Sequence, residues 1–221
     1  MTARVASMRN RRYNTYVPSC GYAADVIHGA PYQVDFGTPA AAVATGILNA
    51  TSIATAVDTN TFVSDTADAP FGRNITVVAS GAATSNVTVY GKDYMGQPMT
   101  ESFTLNGNTP VVGRKAFKWV DRITAGVTAA TTINVGFGAR VGLPYRMSQV
   151  LSEIGNGAGA AVGTLTAPDL TDPQTATTLD PRGLYTPTTA LNGSNRILAS
   201  FLPYNIMNAN GNGGLYGLKH A

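Results

Sequence analysis

The sequence predicts an all-β fold: an antiparallel β-sandwich of jelly-roll kind, with an extended N-terminal arm and long irregular loops. Three observations predict it. Short runs between residues 73 and 145 alternate apolar and polar positions with period two. Gly, Asn and Pro interrupt those runs where turns would fall. Charged residues make up only 12 % of the 221 residues, about half the usual share. Thr, Asn and Ser carry the polarity instead, a composition suited to half-buried strands and interfaces.

Residues 1–70 read as an extended arm and interface-lining segment. Its opening, Arg4-Val5-Ala6-Ser7-Met8-Arg9-Asn10-Arg11-Arg12-Tyr13, holds four of the fifteen basic residues, and no acid occurs before Asp25. The remainder has eleven basic against twelve acidic residues, so the high isoelectric point belongs to the arm. Such a segment suits an acidic or polar partner surface. Tyr13-Asn14-Thr15-Tyr16 follows the arginines where a signal peptide would carry an apolar core, so no signal peptide is expected. The uncharged stretch 36–57 is long enough to cross a bilayer, but Pro39, Asn49 and its Thr and Ser residues unsuit it to hydrocarbon. No membrane partner is expected.

Residues 71–205 read as the sandwich body. The inward positions are Ile75, Val77 and Ala79; Val87 and Val89; Met99, Glu101, Phe103 and Leu105; Phe117, Trp119 and Ile123; and Ile133, Val135 and Phe137. Residues 92–97 predict a hairpin with Gly96 at the positive-φ position. Asn106-Gly107 and Asn192-Gly193 predict further turns, the second joining 183–190 to 195–202 as a hairpin. Met147, Val150, Leu151 and Ile154 predict one short helix over 145–154, ended by Gly155. Residues 155–181 predict a long irregular excursion, and 206–221 a flexible tail.

Catalytic chemistry finds little support. His28 and His220 are the only histidines, and no Gly-x-Ser-x-Gly elbow is present. Cys20 is the only cysteine, which excludes an internal disulfide and a cysteine-built zinc site. Gly136-Phe137-Gly138-Ala139-Arg140-Val141-Gly142 imitates a dinucleotide loop, but Leu143-Pro144 follows instead of a helix. Asp169, Asp172 and Asp180 do not have the spacing of an EF-hand. The sequons at Asn49, Asn74, Asn86 and Asn192 are chance matches in a chain without a secretion signal. The expectation is a non-enzyme without cofactor or metal. With no basic face beyond the arm, nucleic acid is not an expected partner.

Three strings carry a likeness. Residues 87–101 (Val-Thr-Val-Tyr-Gly-Lys-Asp-Tyr-Met-Gly-Gln-Pro-Met-Thr-Glu), residues 134–144 and residues 180–187 resemble segments recurrent in structural proteins of tailed-bacteriophage virions. The group is similar to capsid decoration, or cement, proteins with a β-sandwich or jelly-roll body. The likeness covers most of 73–205 and none of the first 70 residues. It implies a homotrimer on the outer surface of the virion, made in the host bacterial cytoplasm and stabilising the shell of the major capsid protein. The arm would then clamp neighbouring coat subunits, Arg4, Arg9, Arg11 and Arg12 meeting carboxylates and Tyr13 and Tyr16 supplying anchor area. The alternatives are a head–tail adaptor or tail structural protein, and a carbohydrate-binding β-sandwich for host attachment.

Overall fold

The computed structural model describes residues 31–171 and 173–203. All regular structure among them is β: β1 (Tyr32–Gly37), β2 (Leu48–Ser52), β3 (Val57–Thr59), β4 (Arg73–Ala79), β5 (Asn86–Lys92), β6 (Pro98–Thr104), β7 (Val111–Val112), β8 (Trp119–Ala125), β9 (Thr132–Gly142), β10 (Met147–Gly155), β11 (Ala158–Ala160), β12 (Thr164–Thr166), β13 (Leu184–Thr186) and β14 (Ile197–Pro203). Every pairing is antiparallel. Among the described residues no helix is long and apolar enough to cross a membrane.

Three sheets result. One runs β12-β13-β9-β4-β7 with β2 also on β9; a second runs β3-β8-β5-β6; the third runs β1-β14-β10-β11. From β2 to β9 the chain crosses repeatedly between the first two sheets, so their inward faces share one core. Ile75, Val77, Ile133 and Val135 meet Val87, Val89, Met99, Phe103 and Ile123 there, all buried. Inward alternation therefore holds through most of the central strands. The 11-residue β9 outruns this sandwich, and its far end (Val141) joins a second core with the third sheet. In that core Phe36 stacks on Tyr185 at 5.7 Å, and Phe201 meets Tyr185 edge-on at 5.1 Å.

Residues 31–70 correct the expected division at 70. They supply β1 to β3 and the buried Val34, Phe36, Ile47, Leu48 and Ile53, so the body reaches back to Tyr32. β2 and β3 are only five and three residues long, too short for period-two alternation to stand out in the sequence.

The expected helix over 145–154 is strand β10. Its register against β14 shifts between Met147 and Gln149 and again between Val150 and Ser152. Each bulge adds a residue, so the inward positions Met147, Val150 and Glu153 recur every third residue and mimic a helical period. A bulge at Asp121 has a similar effect in β8, where Tyr90 opposes Arg122 but Gly91 opposes Val120. Val120 is consequently buried, and the expected core residue Trp119 is only half-buried.

The 92–97 turn is the hairpin between β5 and β6, with Gly96 at φ +79°. The turn at Asn192 also forms: its Oδ1 accepts the N–H groups of Ser194 (2.9 Å) and Asn195 (2.8 Å). It does not close a hairpin, because β13 pairs with β9 and β12 whereas β14 pairs with β1 and β10. Within the expected excursion 155–181, β11 and β12 are regular. The 206–221 tail lies outside the described residues.

Candidate functional site

Two glycines of β9 allow close approach: Gly136 lets residues 43–44 lie across the strand, and Gly138 makes room for the Asn74 side chain. A Cβ on Gly136 would sit 1.8 Å from the Val43 carbonyl oxygen, and one on Gly138 would sit 2.5 Å from Asn74 Oδ1. The Gly-Phe-Gly string thus serves close packing, against backbone at Gly136 and against a side chain at Gly138, within a strand and not a phosphate loop. Over it, the Val43 N–H donates to the Phe137 carbonyl (3.3 Å) and the Ile47 N–H to the Val135 carbonyl (2.9 Å). The buried Arg73 fastens the same segment. Its Nε donates to the Gly138 carbonyl (2.8 Å), and its Nη1 to the Ala40 carbonyl (2.9 Å) and to Asp68 Oδ1 (3.1 Å). A cleft of about 190 Å³ remains, lined by Ala40, Ala41, Val43, Gly46, Ser64, Thr66, Asp68, Arg73 and Phe137.

A second cluster ties residues 169–182 to the edge of β6. Glu101 lies inward on β6 between Met99 and Phe103, and its carboxylate accepts the Arg114 N–H (2.5 Å) and the Lys115 N–H (3.3 Å). Lys115 Nζ donates to the Thr175 carbonyl (2.6 Å), and the Ser102 N–H to the Ala176 carbonyl (3.0 Å). Asp180 accepts the Ala116 N–H (2.9 Å) and the Arg182 N–H (2.8 Å). Burial pushes Glu101 up to about 7, outweighing the two N–H donors and the Lys115 and Arg114 charges. Burial likewise lowers Lys115, although Glu101, Asp180 and Asp169 hold it up in part.

Three further buried ions act in the same manner. Arg182 pairs with Asp93 at 2.7 Å, and its guanidinium lies 5.0 Å from the Tyr94 ring centroid. Asp93 also accepts the Met95 and Gln97 N–H groups, which fixes the β5–β6 turn. Glu153 accepts from the Tyr185 hydroxyl, from the Thr188 N–H and hydroxyl, and from the Thr189 N–H. Burial alone would raise Glu153; the donors outweigh it and leave the carboxyl below its ordinary value.

Each of the eight charged side chains buried among the described residues, Arg73, Asp93, Glu101, Lys115, Arg146, Glu153, Asp180 and Arg182, bonds a segment remote from its own. Among the described residues no Ser, Thr or Cys side chain is hydrogen-bonded to Glu101; the bonds its carboxylate accepts come from the Arg114 and Lys115 N–H groups. No group of three or more His, Cys, Asp and Glu side chains among them is placed to hold a metal ion. Asp169 uses its carboxylate on the Thr171 and Leu179 N–H groups; Asp172 lies outside the described residues.

The sequence-predicted arm residues Arg4, Arg9, Arg11, Arg12, Tyr13 and Tyr16 lie outside the described residues, as do Cys20, His28 and His220. Sequence reasoning missed the Arg73 and Lys115 clusters. One signal was readable: Glu101 shares the parity of Met99 and Phe103, so a carboxylate had to enter the core and find donors there. Comparison with protein-family models, curated proteins and solved structures finds no match to this chain.

Proposed function

We propose that this chain is a structural, non-enzymatic virion protein of a tailed bacteriophage. In this reading it is a capsid decoration protein that sits as a homotrimer on the outer surface of the major capsid protein shell. The N-terminal arm, through Arg4, Arg9, Arg11, Arg12, Tyr13 and Tyr16, clamps neighbouring coat subunits and so stabilises the shell. The observation that carries the reading is the use of all eight charged side chains buried among the described residues as ties between remote segments, which suits a body built to hold its shape under load. The partition of charge adds to it: a basic arm on a nearly neutral body favours a tether over a basic binding surface. The resemblance of residues 87–101, 134–144 and 180–187 to virion structural proteins points the same way.

The test is the copy number of this protein relative to the major coat protein in purified particles. A ratio near one-to-one is expected, since only the icosahedral lattice offers that many equivalent sites. A ratio of a few per cent would move it to the portal or tail, and absence from particles would discard the virion reading.

A further inference from the structure

An asparagine followed by glycine is prone to close on itself. The glycine nitrogen attacks the asparagine carboxamide carbon, and no Cβ on the glycine shields the approach. Three such pairs fall among the described residues: Asn106-Gly107, Asn156-Gly157 and Asn192-Gly193. All three asparagines are exposed, so exposure does not separate them.

Hydrogen bonding does. The Gly193 N–H donates to the Pro39 carbonyl (2.9 Å), and Asn192 Oδ1 is held by the Ser194 and Asn195 N–H groups. The Gly107 N–H donates to the Ala83 carbonyl (3.0 Å), and the Asn106 carbonyl accepts the Thr109 N–H (3.0 Å). Asn156-Gly157 differs from both. The Asn156 N–H donates to the Arg196 carbonyl (2.8 Å), but among the described residues neither the Asn156 carboxamide nor the Gly157 N–H has a hydrogen-bond partner. A Cβ on Gly157 would meet nothing within 4 Å, so the reacting group stands in open space.

The place of this pair in the fold gives its reaction a consequence. Asn156 (φ +50°) and Gly157 (φ +80°) are the central residues of the turn from β10 to β11, in the left-handed region that a type I′ turn demands. The pairs Gly155–Ala158, Ile154–Gly159 and Glu153–Ala160 take their register from that turn. Strand β11 has three residues, all exposed, and places no side chain in either core. Its hold on β10 is the turn and this short ladder.

We propose that Asn156 is a spontaneous modification site that deamidates ahead of Asn106 and Asn192, and that the isoaspartate formed there frees β11 from β10. The Gly157 nitrogen gives up its proton, bonds to Asn156 Cγ and expels the side-chain nitrogen as ammonia, closing a succinimide ring. Water then opens the ring at either carbonyl, giving aspartate or isoaspartate. Both products carry a new negative charge. Isoaspartate also routes the main chain through Cβ, adding a carbon to a two-residue turn that has no slack. Glu153 keeps its donors Tyr185, Thr188 and Thr189, so β10 stays in the third sheet. The inference is independent of the virion reading.

The test ages the full chain at mildly alkaline pH and follows each Asn-Gly peptide by mass spectrometry, with electron-transfer fragmentation to identify isoaspartate. Asn156 should convert about tenfold faster than Asn106 or Asn192, the factor that one hydrogen bond supplies. In urea the three rates should converge, because only the fold separates them. Hydrogen exchange of the aged chain should show lost protection at residues 158–160 and unchanged protection in β14. Asn156→Gln, which cannot close the five-membered ring, should age without that loss. Equal rates in the folded chain, isoaspartate at 156 with 158–160 still protected, or the same loss in aged Asn156→Gln would overturn the proposal.

Discussion

Glu101 shows how much one side chain decides in a chain with so few charges. Its folded value near 7 stands above the ordinary 4.5, so its contribution to stability is complete below the ordinary value and is lost as pH rises through the folded one. The span corresponds to about 3 kcal/mol. Glu101→Gln removes the titration but also turns an amide N–H₂ toward backbone donors. The variant should therefore be less stable than the parent at acidic pH and recover about 3 kcal/mol of the difference by mildly alkaline pH. Urea unfolding of both proteins at the two pH values checks this, and a difference that ignores pH would show that the buried carboxylate is not penalised. The placement of Glu101 was legible from parity. Its donors were not, because Arg114 and Lys115 reach it through backbone N–H groups that no residue type announces.

At the scale of elements, glycine and bulges set what each strand does. Gly136 is required by the carbonyl of Val43, which lies where a Cβ would be. Gly136→Ala should cost about 3 kcal/mol and lift residues 43–47 from β9. Hydrogen exchange at the Val43 and Ile47 amides, which donate to Phe137 and Val135, would report it; protection equal to the parent's would contradict the close packing. Strand β10 is the complementary case. Its two bulges are set by the partner β14 and by the second core, so local spacing alone suggested a helix. Hairpin turns, by contrast, are written in adjacent residues, and the 92–97 turn was readable for that reason.

The whole molecule is closed by its first and last described strands. β1 pairs with β14 from Tyr32 opposite Phe201 to Gly37 opposite Ile197, and Val34 and Phe36 enter the second core. Sheet pairing at such sequence separation makes folding slow and non-local. Two deletions should accordingly differ. A chain starting at residue 25 keeps a cooperative thermal transition, because β1 is intact. A chain starting at residue 39 loses the third sheet, because β14 is left without its edge partner and Phe201 and Tyr185 lose Phe36. Thermal unfolding followed by near-ultraviolet circular dichroism distinguishes them, and equal transitions would show that β1 is dispensable. The first deletion also bears on the proposed clamp: it should weaken attachment to particles while leaving the body folded.

The sequence by itself determined the all-β class, the central strands with their inward residues, the tight turns, and the separation of a basic arm from a nearly neutral body. These follow from period-two burial, turn chemistry and charge counts, all local in the chain. Only the tertiary structure decided that residues 32–59 contribute strands to the sheets, that β10 is a bulged strand, and that β13 and β14 part into different sheets. It alone showed that the buried ions tie remote segments together. Those outcomes depend on pairings across tens to more than a hundred residues, where the choice of partner rests on the shared core and not on the residues adjacent in sequence.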